Sequence, residues 1–376
     1  MKKFIKKIIK SYYCFSNSLK KEKYYKSLLK KNLINNIKSK GEDKWIDKWS
    51  KLDKDINPVY YRLFSSYIGE EINIVPDNIC QNIIEPILNP RRFIKFYADK
   101  NIFDKLFPLG TLPLTILRKM GGTYLKANYE YVAMSDEMLF SILKSFENNK
   151  IVIKPSLDTS SGAGVKVFYF DKHNWRDVED SNVVLNCSYL ENKYGENFII
   201  QECLEQSSWQ SIFNESSVNT LRLTLYRSVK TNECVITSAI MRIGNKGSVV
   251  DNAHAGGRYV GIYSDGTLGK VTLDQWGNKQ VVFNGIDFSK EYKVPNWKYI
   301  LEFSKSLGKC IPHCRLIALD LMLTKDGSPK LIEYNVSAYS PWLFQFTSGS
   351  ALGEYTDEII DYCKKRKLAI ENIIIW

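Results

Sequence analysis

A chain of 376 residues, 44% hydrophobic and 25% charged, can bury a large core in two or three subdomains and has the composition of a soluble globular protein. Its formal charge of +12 sits in one place: residues 1–40 carry thirteen lysines and one glutamate, and the rest of the chain balances 40 basic against 40 acidic side chains. The eight cysteines show no disulfide framework and read as reduced thiols of a cytosolic protein, and no apolar run approaches the ~20 residues of a membrane span.

In chain order, MKKFIKKIIKSYYCF places Phe4, Ile5, Ile8, Ile9, Tyr12 and Tyr13 at helical spacing, with Lys2, Lys3, Lys6, Lys7 and Lys10 between them. This is a basic amphipathic helix, the pattern of a segment (residues 1–18) lying on an anionic membrane surface, here the inner face of the cytoplasmic membrane. The same pattern suits a helix docked on its own domain with a solvated lysine face, and both readings stay open. No nucleic-acid-binding motif accompanies the charge, so nucleic acid is not an expected partner. Residues 41–98 read as further helices around Trp45, Trp49, Tyr60, Tyr61 and Phe64, punctuated by Pro76, Pro86 and Pro90. DKNIFDKLF, from Asp99, opens a short helix ended by Pro108 and Gly110. A turn at Gly121-Gly122 leads to a strand and then to a helix over 136–146.

From Lys150 the pattern turns to strands. IVIK is a strand stopped by Pro155, SLDTSSGAG is a polar loop, and VKVFYF returns. NFIIQEC is the next strand. VNTLRLTLYRS and CVITSAIMRIG form a hairpin, and GRYVGIYS and LGKVTL another around Asp265-Gly266. Helices over 297–307 and 354–365 bracket the most informative stretch, RLIALDLMLTKDGSPKLIEYN (315–335). It reads as two apolar strands joined at Asp326-Gly327. With that dipeptide as a two-residue loop, Asp320 stands opposite Glu333, Met322 shares the face of Asp320, and Asn335 shares the face of Glu333. A three-residue loop would put the two acids on opposite faces. Facing carboxylates about 4.5–5.5 Å apart at their Cβ atoms repel and lose hydration unless a cation joins them. A hard, oxygen-seeking ion such as Mg²⁺ fits two carboxylates and an amide oxygen; an exposed hairpin with two solvated acids is the plainer alternative.

Other residues carry chemistry of their own. The 156–164 loop joins two strands and is neither a Walker P-loop nor a dinucleotide fingerprint. Gly162 and Gly164 still allow close backbone approach to phosphates, and Ser160 and Ser161 add hydroxyl donors; an ordinary hairpin loop fits as well. Lys154 interrupts an apolar strand just before that loop, where an inward ammonium needs an anion to stay charged. Gln201-Glu202-Cys203-Leu204 ends a buried-looking strand, where backbone groups can read an adenine edge. Arg222 is a cation within another apolar strand, suited to phosphate or a developing oxyanion. His254, in DNAHAGG, reads more simply as a loop histidine bonded to backbone than as a catalyst.

In this order, Asp99-Lys100, IVIKP with its Gly loop, the IIQE hinge and ALDLML followed by LIEYN resemble an ATP-grasp domain. DKNIFDKLF, SSVNTLRLT, GSVVDNAHAGG and the final hairpin resemble, more narrowly, the sugar-transfer-associated ATP-grasp family of bacterial surface-polysaccharide assembly. The resemblance runs roughly over 60–365. It implies an α+β ATP-grasp fold, two α+β subdomains clamping ATP, preceded by a helical N-terminal region. The boundaries are then a basic amphipathic segment (1–40), a helical region (41–98), a lid and ATP-binding subdomain (99–205) and a C-terminal subdomain with the metal hairpin (206–376). By the same resemblance Lys100 and Lys154 match the phosphate-holding lysines and Gly162 and Gly164 the lid loop. Glu202 and Leu204 match the adenine-reading hinge, Met322 and Ile332 the residues flanking adenine, and Asp320, Glu333 and Asn335 the Mg²⁺ ligands. The implied activity is an ATP- and Mg²⁺-dependent carboxylate–amine ligase working through an acyl phosphate, with Arg222 on the oxyanion. Its substrates would be a small amine and an acidic sugar or glycan of capsule or O-antigen type. A kinase acting on a sugar hydroxyl, and a membrane-docked assembly protein that binds ATP without turnover, are the rival readings. The first hundred residues match no usual ATP-grasp pre-domain, which leaves the acceptor open.

Overall fold

The computed structural model describes residues 2–157, 162–248, 251 and 256–367, and the side chains of residues 9 and 11–366 within them. Two antiparallel sheets carry the molecule. The strands of the first are β1 (Thr115–Met120), β2 (Thr123–Lys126), β3 (Ile151–Pro155), β4 (Lys166–Phe170), β5 (Trp175–Asp177) and β6 (Phe198–Glu202), in spatial order β2-β1-β6-β3-β4-β5. The second contains β7 (Leu221–Arg227), β8 (Cys234–Ile243), β9 (Arg258–Ile262), β10 (Thr272–Leu273) and β11 (Lys279–Gln280). A small ribbon, β12 (Val282–Phe283) with β13 (Ile286–Asp287), follows, and β14 (Leu316–Leu323) and β15 (Pro329–Asn335) complete the second sheet in the order β11-β10-β9-β8-β7-β14-β15. The expected α+β arrangement, with helices gathered ahead of the sheets, is the observed one.

Alternation along the strands decides what each face does. In β3, Ile151 and Ile153 enter a core with Phe168 and Phe198, while Val152 and Lys154 turn to the opposite face. In β7, β8 and β14, Leu223, Met241, Leu319 and Leu321 pack under the Trp297–Gly308 helix. Arg222, Arg242, Asp320 and Met322 take the other face. That second face is shared. Beyond the polar groups it carries Tyr226, Ile240 and Tyr259, which pack in one core with the N-terminal helices α1 (Lys2–Lys31), α2 (Glu42–Trp49) and α3 (Val59–Ile68). Trp45, Trp49, Tyr60 and Phe64 are completely buried there.

The hairpin departs from its expected turn. Thr324 N donates to Ser328 O and Gly327 N to Thr324 O, so the loop is Lys325-Asp326-Gly327, three residues, with Gly327 at φ 81°, the left-handed position such loops require. Alone this would turn Glu333 into the core. A bulge restores the facing: Leu321 pairs with Leu331 but Asp320 pairs with Glu333, leaving Ile332 as the extra residue. Two further elements, β1 and β5, and the helix Cys187–Tyr194 have no counterpart in the sequence reading. The first helix, expected over about its first fifteen residues, runs to Lys31.

Candidate active site

A cavity of ≈ 340 Å³ lies between the two sheets. From the first sheet it receives Lys154, Val152, Val167 and Glu202, with Gly162 and Leu204 from adjoining loops; from the second, Arg222, Arg242, Asp320, Met322, Ile332, Glu333 and Asn335. Lys100 enters from the short helix that Asp99 caps by accepting from Asn101 N. Of the sequence-predicted residues, Gly164 (φ 78°) lies beside Pro155 rather than on the cavity wall; an added Cβ would come 2.9 Å from that ring. Ser160, Ser161 and His254 lie outside the described residues.

The hairpin acids sit within a belt of cations. Lys100 Nζ lies 3.1 Å from Glu333 Oε1. Arg222 Nε lies 3.4 Å from Asp320 Oδ1, and Arg242 3.5 Å from Asp320 Oδ2. Asn335 Nδ2 reaches Asp320 Oδ2 at 3.5 Å. The Arg222–Asp320 approach lacks hydrogen-bond alignment, and both Nε and Oδ1 are buried without a hydrogen-bond partner. Burial pushes the Asp320 carboxyl up, against Arg222 and Arg242, with Glu333 and Asp251 adding to the rise. Burial would raise Glu333 too, but Lys100, Lys154 and Arg222 together hold it below the usual carboxylate range. Burial pushes the Lys154 ammonium down to about 8, opposed by Glu333 and reinforced by Lys100.

An acid with an unsatisfied oxygen, a second acid facing it and an amide alongside form an oxygen-rich donor set that fits a hard divalent cation. Among the described residues no cluster of three or more His, Cys, Asp or Glu competes with it. Four cations, Lys100, Lys154, Arg222 and Arg242, meet four carboxylates, Glu202, Asp251, Asp320 and Glu333, in the cavity wall, so the formal charges there balance. An apolar slot is lined by Val152, Val165, Val167, Met322 and Ile332, with Glu202 and Leu204 also on the cavity wall. Here the Glu202 carboxylate, rather than its backbone carbonyl, takes the Leu114 N–H at 2.8 Å. That carbonyl is thereby left out of the bonding to residue 114.

Three site residues escape the sequence reading. Arg242 carries the same signal as Arg222, a guanidinium within an apolar strand. Asp251 holds Arg242 at 3.1 Å and accepts from Thr220 N at 3.0 Å and from its hydroxyl. Trp342, with Leu343, Ala338 and Ser340, also lines the cavity. That wall is fixed from the N-terminal region. Glu85 accepts from Tyr339 N at 2.6 Å and Ala338 N at 3.2 Å. Asn89, one helical turn on, donates to Leu316 O and Val336 O. Ala338 and Ser340 are held at positive φ between these bonds.

A family model described as sugar-transfer associated ATP-grasp matches residues 81–360. Among solved structures, D-cycloserine synthetase DcsG is similar at 12% identity and TM-score 0.41, over 74% of this chain and 73% of its own. The N5-carboxyaminoimidazole ribonucleotide synthetase of Thermotoga maritima follows at 11% and 0.35, over 69% and 50%. The ATP-grasp ligase PsnB with its minimal precursor is similar at 12% and 0.37, over 73% and 63%. No curated protein matches the chain in sequence. With the family match spanning well over half of its length, the chain belongs to the sugar-transfer-associated ATP-grasp family.

Proposed function

We propose that this protein is an ATP- and Mg²⁺-dependent ligase that joins a carboxylate to an amine, and that the carboxylate belongs to an acidic sugar or glycan of surface-polysaccharide assembly. The observation that carries the reading is the convergence of Lys100, Lys154, Asp320, Glu333 and Asn335 on one cavity from both sheets and the Asp99-capped helix. Lys100 and Lys154 take the phosphates, and the slot at Met322 and Ile332 takes the base. Asp320, Glu333 and Asn335 would hold Mg²⁺, whose charge neutralises phosphate oxygens when bound; the Lys100–Glu333 contact gives way as Lys100 turns to phosphate.

An acceptor carboxylate oxygen attacks the γ-phosphorus, the bond to ADP breaks, and an acyl phosphate forms. The amine nitrogen then attacks the acyl carbon, loses a proton, and inorganic phosphate leaves. Arg222, 3.4 Å from Asp320, faces the oxyanion of this second step. The sugar assignment draws on the family's description and on further residues of the cavity lining. Trp342, Thr220, Ser340 and Arg242 all line that cavity, and an aromatic ring, hydroxyls and a guanidinium suit a ring bearing hydroxyls and a negative charge.

The test is ADP release against a panel pairing uronic-acid sugars with amino acids, followed by product mass. An amide product, formed only when both partners are present, is the expected result. A phosphorylated sugar formed without amine would replace the ligase with a kinase.

A further inference from the structure

α1 docks on the protein through polar contacts and through the buried Tyr25, Leu28 and Leu29. Asn17 donates to Gln81 and Asn82, Lys21 pairs with Asp77 at 2.6 Å, and Tyr25 donates to the same carboxylate. The opposite side of the helix carries Tyr12, Phe15 and Leu19, three and four residues apart, at 73, 63 and 41% exposure. Single exposed apolar residues are ordinary, but a row along one helix marks an interaction surface. In sequence the same spacing runs back through Ile8 and Phe4, about 22 Å of helix in all. It runs forward as Lys23, Lys26 and Lys30, all exposed.

We propose that this outward stripe of α1 lies in the headgroup layer of an anionic bilayer and holds the protein at a membrane surface. Phe15 and Leu19 enter the acyl boundary while the flanking lysines meet lipid phosphates. Charge complementarity selects the occupant. Thirteen lysines and one acid in residues 1–40 account for the whole formal charge excess of the chain, and each contributes only near an anionic surface. A second copy of the helix packed on the stripe would bring like charges together along Lys23, Lys26 and Lys30. Nucleic acid would answer the lysines but leave Phe15 and Leu19 without a partner. The helix lies on the bilayer and does not cross it: among the described residues no helix is long and apolar enough to span a membrane. The inference stands apart from the ligase reading, since none of these residues lines the cavity.

The test uses the full chain with phosphatidylcholine vesicles, with and without phosphatidylglycerol, in a flotation assay. Binding to the anionic vesicles at low salt is expected, falling at least about tenfold near 0.5 M salt, where the screening length is only a few Å. Replacing Tyr12, Phe15 and Leu19 together by Ser should weaken binding by about tenfold or more, with an unchanged melting temperature because all three are exposed. Any of four results would overturn the proposal. They are no flotation with anionic vesicles at low salt, equal binding to pure phosphatidylcholine, undiminished binding by the triple variant, and a dimer in sedimentation that the triple variant dissociates.

Discussion

Asp320 and Glu333 face each other across one strand pair yet are driven apart in acidity, Asp320 raised by burial and Glu333 held down by Lys100 and Lys154. Two acids so placed act as one unit toward a cation. Asp320→Asn and Glu333→Gln should each lower ATP turnover more than about tenfold, and the double variant should be little worse than either single one, because one missing ligand already disables the metal. Modest and additive losses in ADP release would mean that the two acids act independently. Lys154 was legible because an ammonium in an apolar strand is expensive without an anion. Arg242 carries that signal too. Its partner Asp251 lies nine residues on in the chain, past the end of β8, and nothing local in the sequence joins the two.

Elements show a different balance. The facing of Asp320 and Glu333 follows from the hairpin pattern, but the route to it does not: a three-residue loop and a bulge at Ile332 offset one another. Alternation alone reports the net register and not its two parts. β1 is hidden for a related reason. Arg118 and Lys119 break its apolar pattern, and their neutralisers, Asp104 and Glu191, come from other elements. The wall held by Glu85 is likewise a long-range feature, and it gives a pH prediction. Burial pushes the Glu85 carboxyl up to about 7, opposed by the N–H groups of Tyr339 and Ala338, with Asp77 adding to the rise. A carboxyl raised in the folded state contributes stability that is fully present below its ordinary value, 4.5, and lost as pH rises through about 7. The melting temperature should therefore fall from about pH 5 to about pH 8, and Glu85→Gln should flatten that slope. An identical slope in the variant would remove Glu85 from the account.

At the scale of the whole molecule, the N-terminal helices and the second sheet share one core, in which Trp45 and Trp49 pack with Tyr226, Ile240 and Tyr259. The family match begins at residue 81, and the sequence before it shows helices without showing which sheet they cover. Removing residues 1–98 should yield insoluble or molten protein, and Trp49→Ala should cost about 3–5 kcal/mol in denaturant unfolding. A folded, soluble 99–376 fragment would contradict a shared core. The same architecture places the two sheets on either side of the cavity, and the central claim is that this cavity is a Mg²⁺–ATP site. Calorimetric titration of the full chain with ATP, with and without Mg²⁺, tests it most directly. The account predicts Mg²⁺-dependent binding that Lys154→Ala and Glu333→Gln each weaken more than about tenfold, with melting temperatures showing both variants folded. ATP affinity unchanged by either substitution, or by leaving out Mg²⁺, would contradict it.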